Sequence, residues 1–230
     1  MNLIDTANSY GPEVSERMIG ETLSPYPDDL VIATKGGFTR PGPNRWVADG
    51  RPEALRQAIE GSLARLKLER IDLHQFHTPD RNVPFAESVG TFAELQKEGR
   101  IRHVGLSNVS VAQIEEARGI VPIASVQNRY NVEDRSSEDV LLYCEQEEIG
   151  FIPWAPVGGK GGSDASSPIG RIAGARGATQ SQVALAWLLR KSPVMLPIPG
   201  TSSVAHLEEN CAAADLELTE DEFAQIDAMV

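Results

Sequence analysis

The stretch Pro52–His77, PEALRQAIEGSLARLKLERIDLHQFH, decides the fold. In its first half Leu55, Ile59, Leu63 and Leu66 recur at helical spacing behind Pro52, a residue suited to a helix start, which predicts a helix over 52–67. Its second half, Ile71–His77, has the length and apolar content of a strand. The same exchange repeats outward in both directions. Further strands are predicted at Leu3–Asp5, Leu30–Thr34, Ile101–Leu106, Ala124–Gln127, Gly150–Pro153 and Val194–Ile198, and further helices at about 13–23, 84–98, 110–118, 136–147, 179–191 and 203–213. Regular β-then-α alternation implies parallel strands joined by helical crossovers. With this many units, closure removes exposed edges, so the predicted class is an α/β fold, a (β/α)8 barrel of TIM-barrel type, in one domain over 1–230.

The strand candidates number seven, and the first begins within two residues of Met1. The expectation is a barrel incomplete at its N-terminus, lacking a first strand and helix. The Gly/Ser-rich segment Gly158–Pro168 is expected to be a mobile loop.

Composition narrows the partners. The formal net charge of −12 argues against nucleic acid and anionic membrane, since the long-range field repels phosphate. No apolar run approaches the ~18–20 residues of a membrane span, and Met1–Asp5 has neither a basic nor an apolar leader region. A cytoplasmic monomer is the expectation. Cys144 and Cys211 read as reduced thiols, and the four histidines offer no close pair on one strand face, which disfavours a metal-dependent hydrolase.

In such barrels the active site lies at the C-terminal ends of the strands. Asp5 ends the first strand and Tyr10 follows in its loop; Lys35 ends the second and His77 the third. A phenol, with an ordinary pKa near ~10, is a poor proton donor at neutral pH. An ammonium beside it favours the phenolate, a carboxylate keeps the ammonium charged, and an imidazole can orient a substrate carbonyl. Taken singly, each residue has a plainer reading: Asp5 as a turn cap, Tyr10 as a loop aromatic, Lys35 as a surface lysine. His74 and His77, three apart, face opposite sides of their strand. His77 is nearer the mouth, which leaves His74 to packing.

These residues lie in recognisable motifs. Asn2-Leu3-Ile4-Asp5-Thr6-Ala7-Asn8-Ser9-Tyr10-Gly11, Val31-Ile32-Ala33-Thr34-Lys35 and Ile71-Asp72-Leu73-His74-Gln75-Phe76-His77 resemble the aldo-keto reductase family from end to end of the chain, as do Gly105-Leu106-Ser107-Asn108, Val126-Gln127-Asn128-Arg129-Tyr130-Asn131 and Pro197-Ile198-Pro199-Gly200-Thr201. The resemblance implies NAD(P)H-dependent reduction of an aldehyde or ketone to an alcohol. Tyr10 would be the proton donor, Lys35 and Asp5 its tuning pair, and His77 the carbonyl-orienting group. It also implies that Ser107, Asn108 and Gln127 bind the nicotinamide carboxamide and that Trp154 stacks on its ring. From the residues alone, Ser107 and Asn108 could be strand-end caps and Trp154 barrel-mouth packing.

Gly200, Thr201 and Ser202, ahead of a helix with His206, Glu209 and Asn210, occupy the region that binds the adenosine half in the resembling family. Hydroxyls and free amides at a helix N-terminus suit a phosphate, while a simple N-cap role for Ser202 or Ser203 fits the spacing as well. Many members place Lys or Arg here, and this chain does not, so NADPH is the implied cofactor with NADH left open. Gly200–Leu207 and Gln182–Leu189 resemble most the bacterial members related to pyridoxal reductases. Trp46, in the segment Gly37–Arg51, could wall a substrate site or fold onto its own loop. The alternative to a working reductase is a barrel that binds a dinucleotide, or nothing, without turnover.

Overall fold

The computed structural model describes residues 2–158 and 164–230, which form two compact units, 1–126 and 127–230. Unit 1 alternates β1 (Leu3–Asp5), α1 (Val14–Leu23), β2 (Val31–Gly36), the strands β3 (Phe38–Gly42) and β4 (Arg45–Ala48), α2 (Pro52–Leu66), β5 (Ile71–Phe76), α3 (Phe85–Lys97), β6 (Ile101–Ser107), α4 (Val111–Arg118) and β7 (Ile123–Gln127), whose last residue opens unit 2. The sheet runs β1-β2-β5-β6-β7. Its pairings are parallel, with Asp5 opposite Ala33, Lys35 opposite Gln75 and Gln75 opposite Gly105. Residues 32–36 of β2 are all buried, as expected of a parallel strand covered on both faces.

Helix α2 forms as its spacing predicts. Pro52 stands in the first turn, Leu55, Ile59, Leu63 and Leu66 are buried, and Lys67 ends the helix in a left-handed conformation. Helix α1 approaches it so closely that a Cβ on Gly20 would lie 2.1 Å from the Arg65 carbonyl oxygen, which requires glycine there. Buried Glu16 of α1 accepts from Thr34 of β2 and, at 2.8 Å, from Arg65 Nε of α2. That acid ties three elements directly behind Lys35.

The antiparallel hairpin β3–β4 falls where the sequence suggested only a variable loop. Thr39 and Gly42 bracket a register irregularity and Asn44 turns left-handed at φ 55°, so neither strand keeps a clean two-residue period.

Unit 2 contains α5 (Glu138–Gln146), β8 (Gly150–Phe151), α6 (Pro168–Arg176), α7 (Gln180–Lys191), α8 (Val204–Ala212), a 3-10 turn (Ala213–Asp215) and α9 (Glu220–Asp227). Its core stacks Tyr130 on Trp187 (6.0 Å, 13°) and Trp187 on Phe223 (6.3 Å, 20°). The expected strand Val194–Ile198 is absent: only Met195 bridges Phe151, with Phe151 N donating to Val194 O and Leu196 N to Phe151 O. Pro193, Pro197 and Pro199 restrict φ along this segment and leave its other edge without N–H donors at those positions. Helices α6 and α9 were not anticipated. The expected mobile loop at Gly158–Pro168 includes residues 159–163, which lie outside the described residues; its end, Ser167, caps α6 by accepting from Gly170 N. Among the described residues no helix is long and apolar enough to cross a membrane.

Candidate active site

Lys35 is fully buried near the C-terminal end of β2. A buried ammonium must be paired and hydrogen-bonded. Its Nζ donates to Asp5 Oδ2, to the Thr6 carbonyl at 2.9 Å and to the Tyr10 hydroxyl at 3.3 Å. The other Asp5 oxygen, Oδ1, accepts from Gln75 Nε2 at 2.8 Å. Gln75 is fully buried and stands opposite Lys35 in the sheet. Room for it comes from β6, where a Cβ on Gly105 would sit 2.8 Å from Gln75 Cγ and 2.4 Å from Ser125 Oγ. The parallel register therefore aligns carboxylate, ammonium and amide across three strands.

His77 lies just beyond β5, its backbone N–H donating to Gly36 O at 2.8 Å. Its ring meets Tyr10 edge-on at 5.9 Å between centroids. Burial first, then the Lys35 charge and then His74, lower its pKa to about 3, so the imidazole is neutral at physiological pH. Its buried Nδ1 has no partner among the described residues. His74, also lowered to about 3 by burial and Lys35, turns to the opposite side and packs on Phe92 at 5.5 Å, with neither ring nitrogen partnered among the described residues.

Trp46 does not fold back onto its loop alone. It stands 6.4 Å from the Tyr10 ring, 6.2 Å from His77 and 5.4 Å from Phe38, which itself lies 4.8 Å from His77. The hairpin thus brings an aromatic wall, 44% exposed at Trp46, against the phenol and imidazole. At the exit of β6, Ser107 is buried and Asn108 is left-handed at φ 59°. Asn108 Nδ2 donates to Ser107 Oγ at 2.9 Å and to the His77 carbonyl at 3.0 Å.

In unit 2, Gln127 is buried at the end of β7. Trp154 donates its backbone N–H to Asn128 O at 3.0 Å, and the Arg129 guanidinium lies 5.4 Å from its ring centre. Gly200, Thr201, Ser202 and His206 are exposed, while Glu209 and Asn210 are half-buried. The cap of α8 is Ser203, which accepts from His206 N at 3.4 Å; Ser202 plays no part in it. Among the described residues no group of His, Cys, Asp and Glu could hold a metal ion.

Sequence reasoning missed Gln75 as a partner of Asp5, and with it Phe38 and Arg40. The available signal for Gln75 was its place two residues before His77 on the same strand face.

Parallel strands with crossover helices, carrying an amine, a carboxylate, a phenol and an imidazole at successive strand ends, define a protein of the (β/α)8-barrel class. The model described as "Aldo/keto reductase family" matches residues 1–230, and the chain belongs to that family. It is 48% identical over 227 residues to an uncharacterized oxidoreductase of Schizosaccharomyces pombe, covering 99% of this chain and 74% of that protein. It is 40% identical over 236 residues to pyridoxine 4-dehydrogenase of Escherichia coli K12, covering 100% of this chain and 82% of that one. Among solved structures, an aldo-keto reductase of Klebsiella pneumoniae in complex with NADPH is 28% identical, with a TM-score of 0.84 over 99% of this chain and 79% of that chain.

Proposed function

We propose that this protein catalyses the reversible reduction of an aldehyde or ketone to an alcohol with NADPH, NADH being the alternative cofactor, acting as a monomer. The observation that carries this reading is the Lys35 ammonium, buried against Asp5 and 3.3 Å from the Tyr10 hydroxyl. When bound, the nicotinamide supplies hydride to the carbonyl carbon. Tyr10 donates a proton to the carbonyl oxygen, and Lys35 stabilises the negative charge left on the phenol oxygen. Asp5 holds the ammonium in place, itself held by Gln75. His77 is neutral and cannot compete as the acid; its part is to orient the carbonyl by a hydrogen bond.

The residues present fit such a cofactor. In unit 1, Ser107 and Asn108 place a hydroxyl and an amide at a strand end, suited to a carboxamide. In unit 2, Gln127 and Trp154 are the proposed nicotinamide-binding pair. Gly200, Thr201, Ser202, His206, Glu209 and Asn210 are the proposed adenosine segment; a Cβ on Gly200 would meet nothing within 4 Å, leaving room for a close ligand.

The experiment is a fluorescence titration with NADPH and NADH, followed by a panel of carbonyls headed by pyridoxal, since a relative is named for the corresponding alcohol. Tyr10→Phe is expected to lower kcat by roughly a hundredfold to ten-thousandfold, the range of general acid catalysis, while NADPH affinity is kept. Binding without turnover by the unaltered chain would replace this reading with a dinucleotide-binding barrel. Equal loss of binding and turnover in Tyr10→Phe would show that Tyr10 serves the fold.

A further inference from the structure

Acidic residues outnumber Lys and Arg by 33 to 21 in this chain, so arginines readily find carboxylates: Arg51 pairs with Asp49, Arg56 with Glu94, Arg65 with Glu16 and Arg176 with Glu222. Arg40 projects from β3 and, like Arg171, makes no ion pair among the described residues. Its Nη1 donates to the Ser9 carbonyl at 3.1 Å, its Nε is buried without an acceptor, and its guanidinium carbon lies 4.1 Å from the centre of the Trp46 ring. Ser9 precedes Tyr10, and Trp46 meets both the Tyr10 and His77 rings. The unpaired guanidinium is therefore held one aromatic ring away from the groups that would grip a carbonyl.

We propose that Arg40 is a specificity-determining residue that recognises an anionic group on the substrate, so that the preferred substrates are carbonyl compounds bearing a carboxylate or a phosphate. This rests on the proposed carbonyl-reducing role of the Tyr10 site. A guanidinium that meets no carboxylate among the described residues keeps its charge available, and an anionic group on a ligand would answer it. The planar fork of an arginine matches the oxygens of both groups, and stacking on Trp46 holds that fork in one orientation. A chain of charge −12 repels anions at long range, so attraction has to come from a local cation of this kind. A substrate carbonyl placed between Tyr10 and His77 would extend its far end along Trp46 towards Arg40.

The test compares 4-carboxybenzaldehyde with 4-nitrobenzaldehyde, which are alike in size and differ in charge, in the full chain, Arg40→Met and Arg40→Lys. In Arg40→Met the kcat/KM preference for the carboxylated aldehyde is expected to fall roughly tenfold to a hundredfold, the size of a hydrogen bond to a charged group. The change should lie mainly in KM. Arg40→Lys should recover part of the preference, and salt should weaken it in the unaltered chain. An equal fall for both aldehydes would overturn the proposal and make Arg40 a support for Trp46 and the Ser9 loop. Terephthalate binding by calorimetry separates this proposal from the reductase reading. If the chain reduces neither aldehyde yet binds terephthalate through Arg40, the anion site stands and the reductase reading falls. If terephthalate does not bind, or binds equally well to Arg40→Met, the anion site falls.

Discussion

In unit 1 the side chains of Asp5 and Lys35 are buried and bonded to each other, Asp5 also accepting from Gln75, while in unit 2 the candidates Gly200, Thr201, Ser202 and His206 lie exposed on a loop and helix start that bury no side chain of α8. The first arrangement has its electrostatics built in before any ligand arrives. The second offers hydroxyls and backbone amides that a ligand would have to organise. Residues that tune a proton donor need fixed distances and low dielectric. Residues that hold a nucleotide tail need access. The difference predicts that changes in the cluster cost stability and chemistry together, while changes in the exposed segment cost ligand affinity alone.

The largest effect should follow removal of the carboxylate in the cluster. Asp5→Leu strips the fully buried Lys35 ammonium of its anionic partner, and breaking a buried pair from one side costs roughly 3–5 kcal/mol. That is a large share of the ~5–15 kcal/mol that holds a typical domain together. Urea unfolding should show a much lower midpoint, and any folded protein should have lost turnover. Asp5→Asn, which can still bond Lys35 through its amide oxygen, should lose less stability. If Asp5→Leu unfolds at the same urea concentration as the unaltered chain, the cluster is not the interlocked unit described above.

A second effect is set by pH. In the fold His74 and His77 titrate at about 3, depressed by burial first and the Lys35 charge second, against ~6.5 for an unfolded imidazole. Between those values the unfolded chain holds protons that the folded chain does not. Stability is therefore full above pH ~6.5 and falls as pH drops towards 3, by up to roughly 1.4 kcal/mol per pH unit for each ring. His74→Leu should flatten this slope between pH 6.5 and 5, where most carboxylates remain ionised. Identical slopes in variant and parent would mean that His74 takes up its proton without leaving the core.

How far this contrast was legible beforehand depended on which interactions run along the chain. Asp5, Lys35 and His77 were visible because each closes a strand, and the β/α order alone sets them on one rim. Gln75 was not visible in this way: its bond to Asp5 depends on Lys35 standing opposite it, and register between parallel strands is not written in either strand. The hairpin was hidden by Pro41, Pro43 and a broken period, so the contacts of Trp46 stayed undecided. Val194–Ile198 misled in the other direction, because its apolar content outweighed Pro197 within it and Pro193 and Pro199 at its ends, residues poorly suited to a strand. For α9 a signal existed and was passed over: Thr219 and Glu222 form a reciprocal capping box, the Thr-x-x-Glu spacing that marks a helix start.

The exposed segment supplies the smallest and most discriminating change. Ser203 caps α8 through a 3.4 Å bond from His206 N, and loss of such a cap costs about 1 kcal/mol. Because α8 buries no side chain, fraying its first turn should leave the rest of the molecule folded. Ser203→Ala should therefore shift the midpoint of global unfolding little, yet weaken NADPH binding severalfold if the amides ahead of α8 hold the nucleotide. An unchanged Kd beside a lowered Tm would invert the comparison, making this turn a structural cap and moving the search for the adenosine site elsewhere in unit 2. A weaker Kd with an unchanged Tm would sharpen it, since the segment would then act only on a ligand that the Tyr10 cluster does not need in order to hold its own geometry.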